Sequence, residues 1–173
     1  MPPILNLCRV SGYGTETDVP GRRMQHLEQE VVAALTNLAA SLPPGSARLK
    51  VTGGRHKYEG TVVELEPTKP RATRLWVHVT HAGRSINFGA GECTLFEFRD
   101  EAAEHAVAGI LLALCSAVVG GQLEETHVIK SGRIVEGTSR LVLPDGERTS
   151  SMRTLFTNPF ARRRVETRRY EAY

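Results

Sequence analysis

DEAAEHAVAGILLALCSAVV, residues 100–119, is the stretch on which the fold turns. Asp100 has the side chain of a helix N-cap, and acids at 101 and 104 sit where the positive end of a helix dipole favours them. The rest is almost wholly Ala, Leu, Ile and Val. A helix apolar on most sides has no solvent face to spare, so the sequence predicts a central helix buried against a sheet. Gly120-Gly121 stops it.

On either side the period changes to two. Downstream, residues 123–130 and 133–143 read as strands of a hairpin around Ser131-Gly132, and Pro144-Asp-Gly146 is a turn signal. Upstream, residues 93–98 align Thr94, Phe96 and Phe98 on one face, and residues 85–88 form a strand before Gly89-Ala-Gly91. Residues 74–80 alternate, with Leu75, Val77 and Val79 opposite Trp76, His78 and Thr80, and His81-Ala-Gly83 reads as their turn. Strands over 48–52 and 58–65 flank Gly53-Gly54. Before them, Met24, Leu27, Val31, Leu35, Leu38 and Leu42 form one apolar helical stripe, opened at Asp18-Val-Pro20 and closed by Leu42-Pro-Pro-Gly45.

Strands grouped between helices, not alternating with them, mean α+β. The expected architecture is an antiparallel sheet packed against two helices, in the order α-β-β-β(-β)-α-β-β with a basic C-terminal tail. The 173 residues suit one domain, placed at 1–147, and the Arg-rich tail at 148–173. That tail has seven arginines and two acids, net +5, which leaves the remainder near −2. The longest apolar run, 106–119, is short of the roughly 20 residues a membrane helix needs. With no cationic, apolar leader and only three cysteines, Cys8, Cys93 and Cys115, at no metal-ligand spacing, the expected compartment is the cytoplasm. Cys115 reads as a small buried hydrophobe. At 6% aromatic residues the chain is not a stacking platform for bases or sugars.

Ile86-Asn-Phe-Gly-Ala-Gly-Glu-Cys-Thr-Leu-Phe-Glu-Phe98, followed by the acidic helix start at Asp100 and a closing hairpin, resembles small bacterial α+β immunity proteins that accompany secreted toxins. The resemblance covers roughly residues 74–146. Thr94 and Phe96 stand where such proteins often carry histidines, so no histidine role is carried over. The helix and strand order is also similar to chaperones of bacterial secreted effectors. Both resemblances imply stoichiometric capture of a cognate protein, toxin or effector.

The chemistry visible in the sequence is sparse. His78-Val-Thr80 fits one histidine–apolar–threonine element of a two-histidine phosphoesterase, but that reaction needs two, and no other histidine has Ser or Thr two residues on. A surface strand histidine is the expectation, with a small hydrolase using His78 as the rival. His78 and His81 lack a third ligand at close spacing. Glu125 and His127 share a strand face, which suits an acid/base pair or a solvated face. There is no glycine–x–serine–x–glycine elbow, and Gly89-Ala-Gly91 lacks the helix a dinucleotide motif needs. The reading is a non-catalytic binding protein with no cofactor and no metal. Its contact surface is the exposed sheet face, carried by Trp76, His78, Glu125 and His127. Arg162, Arg163, Arg164, Arg168 and Arg169 are a second candidate surface, for an acidic protein or for nucleic acid, and equally suit a solvated tail. The oligomeric state is open.

Overall fold

The computed structural model describes residues 20–54, 60–80, 85–99, 104–154 and 162–173. The α+β class and the antiparallel pairing are as expected, and the strands divide between two sheets. Helix α1 (Pro20–Ser41) precedes β1 (Ala47–Gly54), β2 (Gly60–Pro67), β3 (Leu75–Thr80), β4 (Ser85–Ala90) and β5 (Thr94–Arg99). These five strands form one meander in sequence order. Helix α2 (Glu104–Val119) leads to β6 (Leu123–Lys130), β7 (Arg133–Leu143), β8 (Gly146–Arg153) and β9 (Arg163–Arg169), which form a second sheet in the order β8-β7-β6-β9. The expected caps at Asp18 and Asp100 and the turn at 81–83 lie outside the described residues.

Pro43 and Pro44 end α1, because proline lacks the N–H of the ladder and turns the residue before it from the helical region. Along the stripe of α1, Val31 and Leu35 are buried, with Leu38 and Leu42 packed at the margin. Beneath lies the apolar face of the five-stranded sheet, where Val63, Leu65, Leu75, Val77 and Phe88 are fully buried. Val107, Leu111, Leu114, Cys115 and Val118 of α2 complete this core. The second helix is less enclosed than its composition predicts. Gly109, Leu112 and Ser116 form a solvent-facing stripe, with Leu112 42% exposed. Gly and Ser on that stripe add little apolar surface, so composition overstates what the helix must bury. Its end is tied as expected: Gly121, at φ 73°, allows Gln122 N–H to reach Ala117 C=O and its own N–H to reach Val118 C=O.

The β6–β7 hairpin turns through Ser131 (φ 51°) and Gly132 (φ 75°), the left-handed pair that a two-residue turn needs to match strand twist. The Arg-rich segment 148–173 departs from its reading as a tail. It carries most of β8 and all of β9, which pairs with β6 from Glu124↔Arg169 to Lys130↔Arg163. Beyond β9, Tyr173 is buried in the main core and donates its hydroxyl to Leu65 C=O and Thr73 C=O. No described helix is long and apolar enough to cross a membrane.

Candidate functional site

Alternation along β6 puts Leu123, Glu125 and His127 on its inner face. Glu125 and His127 are both 0% exposed. An isolated buried carboxylate is very costly, so its partners decide whether it can be charged. They come from three separate parts of the chain. The turn between β4 and β5 aims the Glu92 N–H (3.0 Å to Oε2) and the Cys93 N–H (2.9 Å to Oε1) at the carboxylate. The Thr94 hydroxyl (2.9 Å) and the Cys93 thiol (3.2 Å) also donate to Oε1. Tyr170, just past β9, donates its hydroxyl to Oε2 at 2.7 Å, and His127 Nε2 lies 3.2 Å from the same oxygen.

Two glycines make the approach possible. Gly91 sits at φ +60°, and a Cβ there would lie 2.6 Å from the Glu125 carboxylate. Gly137, opposite His127 in the β6–β7 ladder, leaves room for Cys93: a Cβ would come within 2.6 Å of the Cys93 Cβ. The Gly89-Ala-Gly91 stretch, unsuited to a dinucleotide, thus leads into a turn whose successive N–H groups hold an anion of the chain itself. Ser150 of β8 adds a second link between the sheets, donating to Leu95 C=O and accepting from Leu95 N–H.

Burial raises the carboxyl pKa of Glu125. The Glu92 and Cys93 N–H groups, with Tyr170 and the Cys93 thiol, outweigh that and hold it below the usual range, so it is ionised at neutral pH. Burial, and then the Glu125 charge, push the Cys93 thiol far above its ordinary value. The same two causes raise the Tyr170 phenol, with its hydrogen bond to Glu125 adding to them. Both groups therefore remain proton donors, and a protonated thiol is a poor nucleophile. Cys93, Glu125 and His127 nevertheless each present a ligand-type atom, all within 4.8 Å of one another. Linear spacing hides this set, because the cysteine comes from a turn 32 residues before the glutamate.

The expected contact residues separate. Trp76 and His78 lie half-buried on the outer face of the five-stranded sheet. Glu125 and His127 do not share that surface. Burial at the junction of the sheets removes them from any external contact, which corrects their reading as docking residues. The Trp76 indole lies against Gly89, its cross-strand partner, where a Cβ would meet the ring at 2.3 Å. Among the arginines, Arg163, Arg164, Arg168 and Arg169 belong to β9, with Arg162 just before it. Arg164 pairs with Glu166, Arg168 with Glu92 and Glu166, and Arg169 with Glu124.

Sequence reasoning missed Gly91, Cys93, Thr94, Ser139 and Tyr170. The one available signal was the placing of two polar residues in register with Leu123, a core position. The depressions of the described surface include two of note. One is an apolar crevice of about 10 Å³ between the helices, bordered by Val31, Leu35, Leu111 and Leu112. The other is a notch of about 170 Å³ beside Glu124, Arg140 and Arg169. No protein-family model, curated protein or solved structure matches the chain.

Proposed function

We propose that this chain is a non-catalytic protein-binding module that captures a protein partner on the outer face of its five-stranded sheet. The observation that carries this reading is the row Glu64–Trp76–Gly89–Leu95 across β2 to β5. Directly paired residues share a face, so the half-buried indole and Leu95, 54% exposed, stand on one surface on either side of a glycine. The next row, Val62–His78–Asn87–Glu97, rims it with polar groups. An aromatic anchor surrounded by polar groups is the usual make-up of a protein interface. The ionisable cluster at the junction supports a binding role from the other side, since its donors are turned inward onto Glu125.

The finer reading, an immunity protein that neutralises a cognate bacterial toxin, rests on the resemblance over residues 74–146, and escort of a secreted effector stands behind it. Binding of nucleic acid through β9 is weaker, because Arg164, Arg168 and Arg169 are paired with acids of the same chain.

The test is affinity capture from the native host with the tagged protein, followed by titration of the recovered partner. Trp76 is the single tryptophan, so its fluorescence reports binding directly. Trp76→Ala should weaken binding by about 30-fold, the effect of losing an anchor worth ~2 kcal/mol. Leu95→Arg should weaken it as well. A partner held equally by both variants, or the lack of any stoichiometric protein partner, would overturn the proposal.

A further inference from the structure

We propose that Cys93, Glu125 and His127 form a zinc site that clasps the two sheets together. Thiolate, carboxylate and imidazole are the three ligand types that zinc takes in proteins. The Cys93 Sγ–Glu125 Oε1 and His127 Nε2–Glu125 Oε2 separations are both 3.2 Å. Tetrahedral bonds of about 2.0–2.3 Å put ligand atoms roughly 3.3–3.8 Å apart. The three ligand atoms lie within 4.8 Å of one another, so an ion needs the Cys93 and His127 side chains to converge on the Glu125 carboxylate.

Their surroundings match a metal site as well. Ligating carboxylates are held in place by further hydrogen bonds. Here the Glu92 and Cys93 N–H groups and the Thr94 and Tyr170 hydroxyls already fix the Glu125 carboxylate. Independently, His127 Nδ1 and the Ser139 hydroxyl are buried and have no hydrogen-bond partner among the described residues. Ser139 lies directly opposite Glu125 in the β6–β7 ladder, and both it and His127 are 0% exposed. Buried polar groups are nearly always paired, and because Nδ1 is the ring nitrogen away from the ligating Nε2, it is the unpaired Ser139 hydroxyl that marks capacity for a ligand at this cluster.

The charges balance. Zn²⁺ displaces the Cys93 thiol proton, which leaves to solvent as a sulfur–zinc bond forms. The ion then faces one thiolate, one carboxylate and a neutral imidazole, with no net charge buried. The fourth position is left for a water, with the Ser139 hydroxyl to hold it. Because Cys93 is only 5% exposed and the other two ligands are fully covered, the ion is shut off from bulk solvent, and metal affinity adds directly to fold stability.

The test uses the full chain, unfolded in chelator and reductant and refolded with or without Zn²⁺ or Co²⁺. One equivalent of Co²⁺ should give a thiolate-to-cobalt charge-transfer band, and Zn²⁺ should raise the thermal midpoint. Cys93→Ser should abolish the band and weaken zinc binding by at least about 100-fold, whereas Tyr170→Phe, which removes one supporting bond, should weaken it about 10-fold. Cys115→Ser, a change within α2, should retain the band. No band, or a band that survives Cys93→Ser, overturns the site. Should Cys93→Ser fail to fold, X-ray absorption of the zinc-loaded wild type decides: one sulfur among nitrogen and oxygen ligands supports it, and none or two refutes it.

Discussion

The inner faces of the two sheets are buried to the same depth, but the four-stranded one sets a polar patch beside its apolar residues Leu123 and Leu141. In the five-stranded sheet Val63, Leu75, Val77 and Phe88 are 0% exposed, and in the four-stranded sheet Glu125, His127 and Ser139 are too. Apolar packing is non-directional, and a core position of this kind accepts another side chain of similar volume. A buried carboxylate is stable only while each donor aimed at it stays in place. The row Leu65–Leu75–Ala90–Thr94 shows the change within one line of residues, from aliphatic core to the hydroxyl that reaches Glu125. One half of the molecule should therefore tolerate conservative exchange, and the other should not.

Glu125→Gln puts that difference to its hardest test, because it keeps shape and removes charge. Charge-assisted bonds are worth about 1.5–3 kcal/mol each, and several weaken together. Tyr170 and His127 can turn to accept from the new amide, but the Glu92 N–H cannot. A loss of about 2–4 kcal/mol is expected from urea denaturation in the presence of chelator. A loss under ~1 kcal/mol would mean that the cluster is not under the constraint described. Gly91→Ala acts on the same carboxylate from the turn side. Its left-handed φ and the 2.6 Å approach of a Cβ should together remove about 2 kcal/mol, read in the same way.

The asymmetry also explains what the sequence makes legible. Both helices, the strands from 48 to 98 and the hairpin at Ser131-Gly132 follow from apolar periodicity and turn chemistry, which are local. β9, with the sequence RRVETRR, shows no such pattern, because it is an edge strand pairing on one side, and all but Glu166 and Arg168 face solvent. Its assignment depends on pairing with β6, which no window of sequence contains. The fate of Glu125 and His127 was hidden for the same reason. On a strand, alternation says that two polar residues share a face, and a polar face reads as solvated. Only the donors at 92–94 and at 170 reverse that, and they become neighbours after folding.

At the mild end of the comparison, Leu75→Met should cost under about 1.5 kcal/mol, since it conserves volume at a site held by packing alone. Ser139→Ala should do less still, although it touches the sensitive half. Its hydroxyl is as buried as the Glu125 carboxylate and lies opposite it, but it makes no hydrogen bond within the described structure. Removing a polar atom that has no partner leaves no donor stranded, and the methyl that remains keeps the packing. In chelator the change in stability should fall within about 0.5 kcal/mol of zero or be favourable. With zinc present the same substitution should lower the thermal midpoint of the loaded protein, because the hydroxyl then has a water to hold. A loss above ~1 kcal/mol in chelator would show that Ser139 belongs to the Glu125 network, and the division between paired and unpaired groups on that face would have to be redrawn.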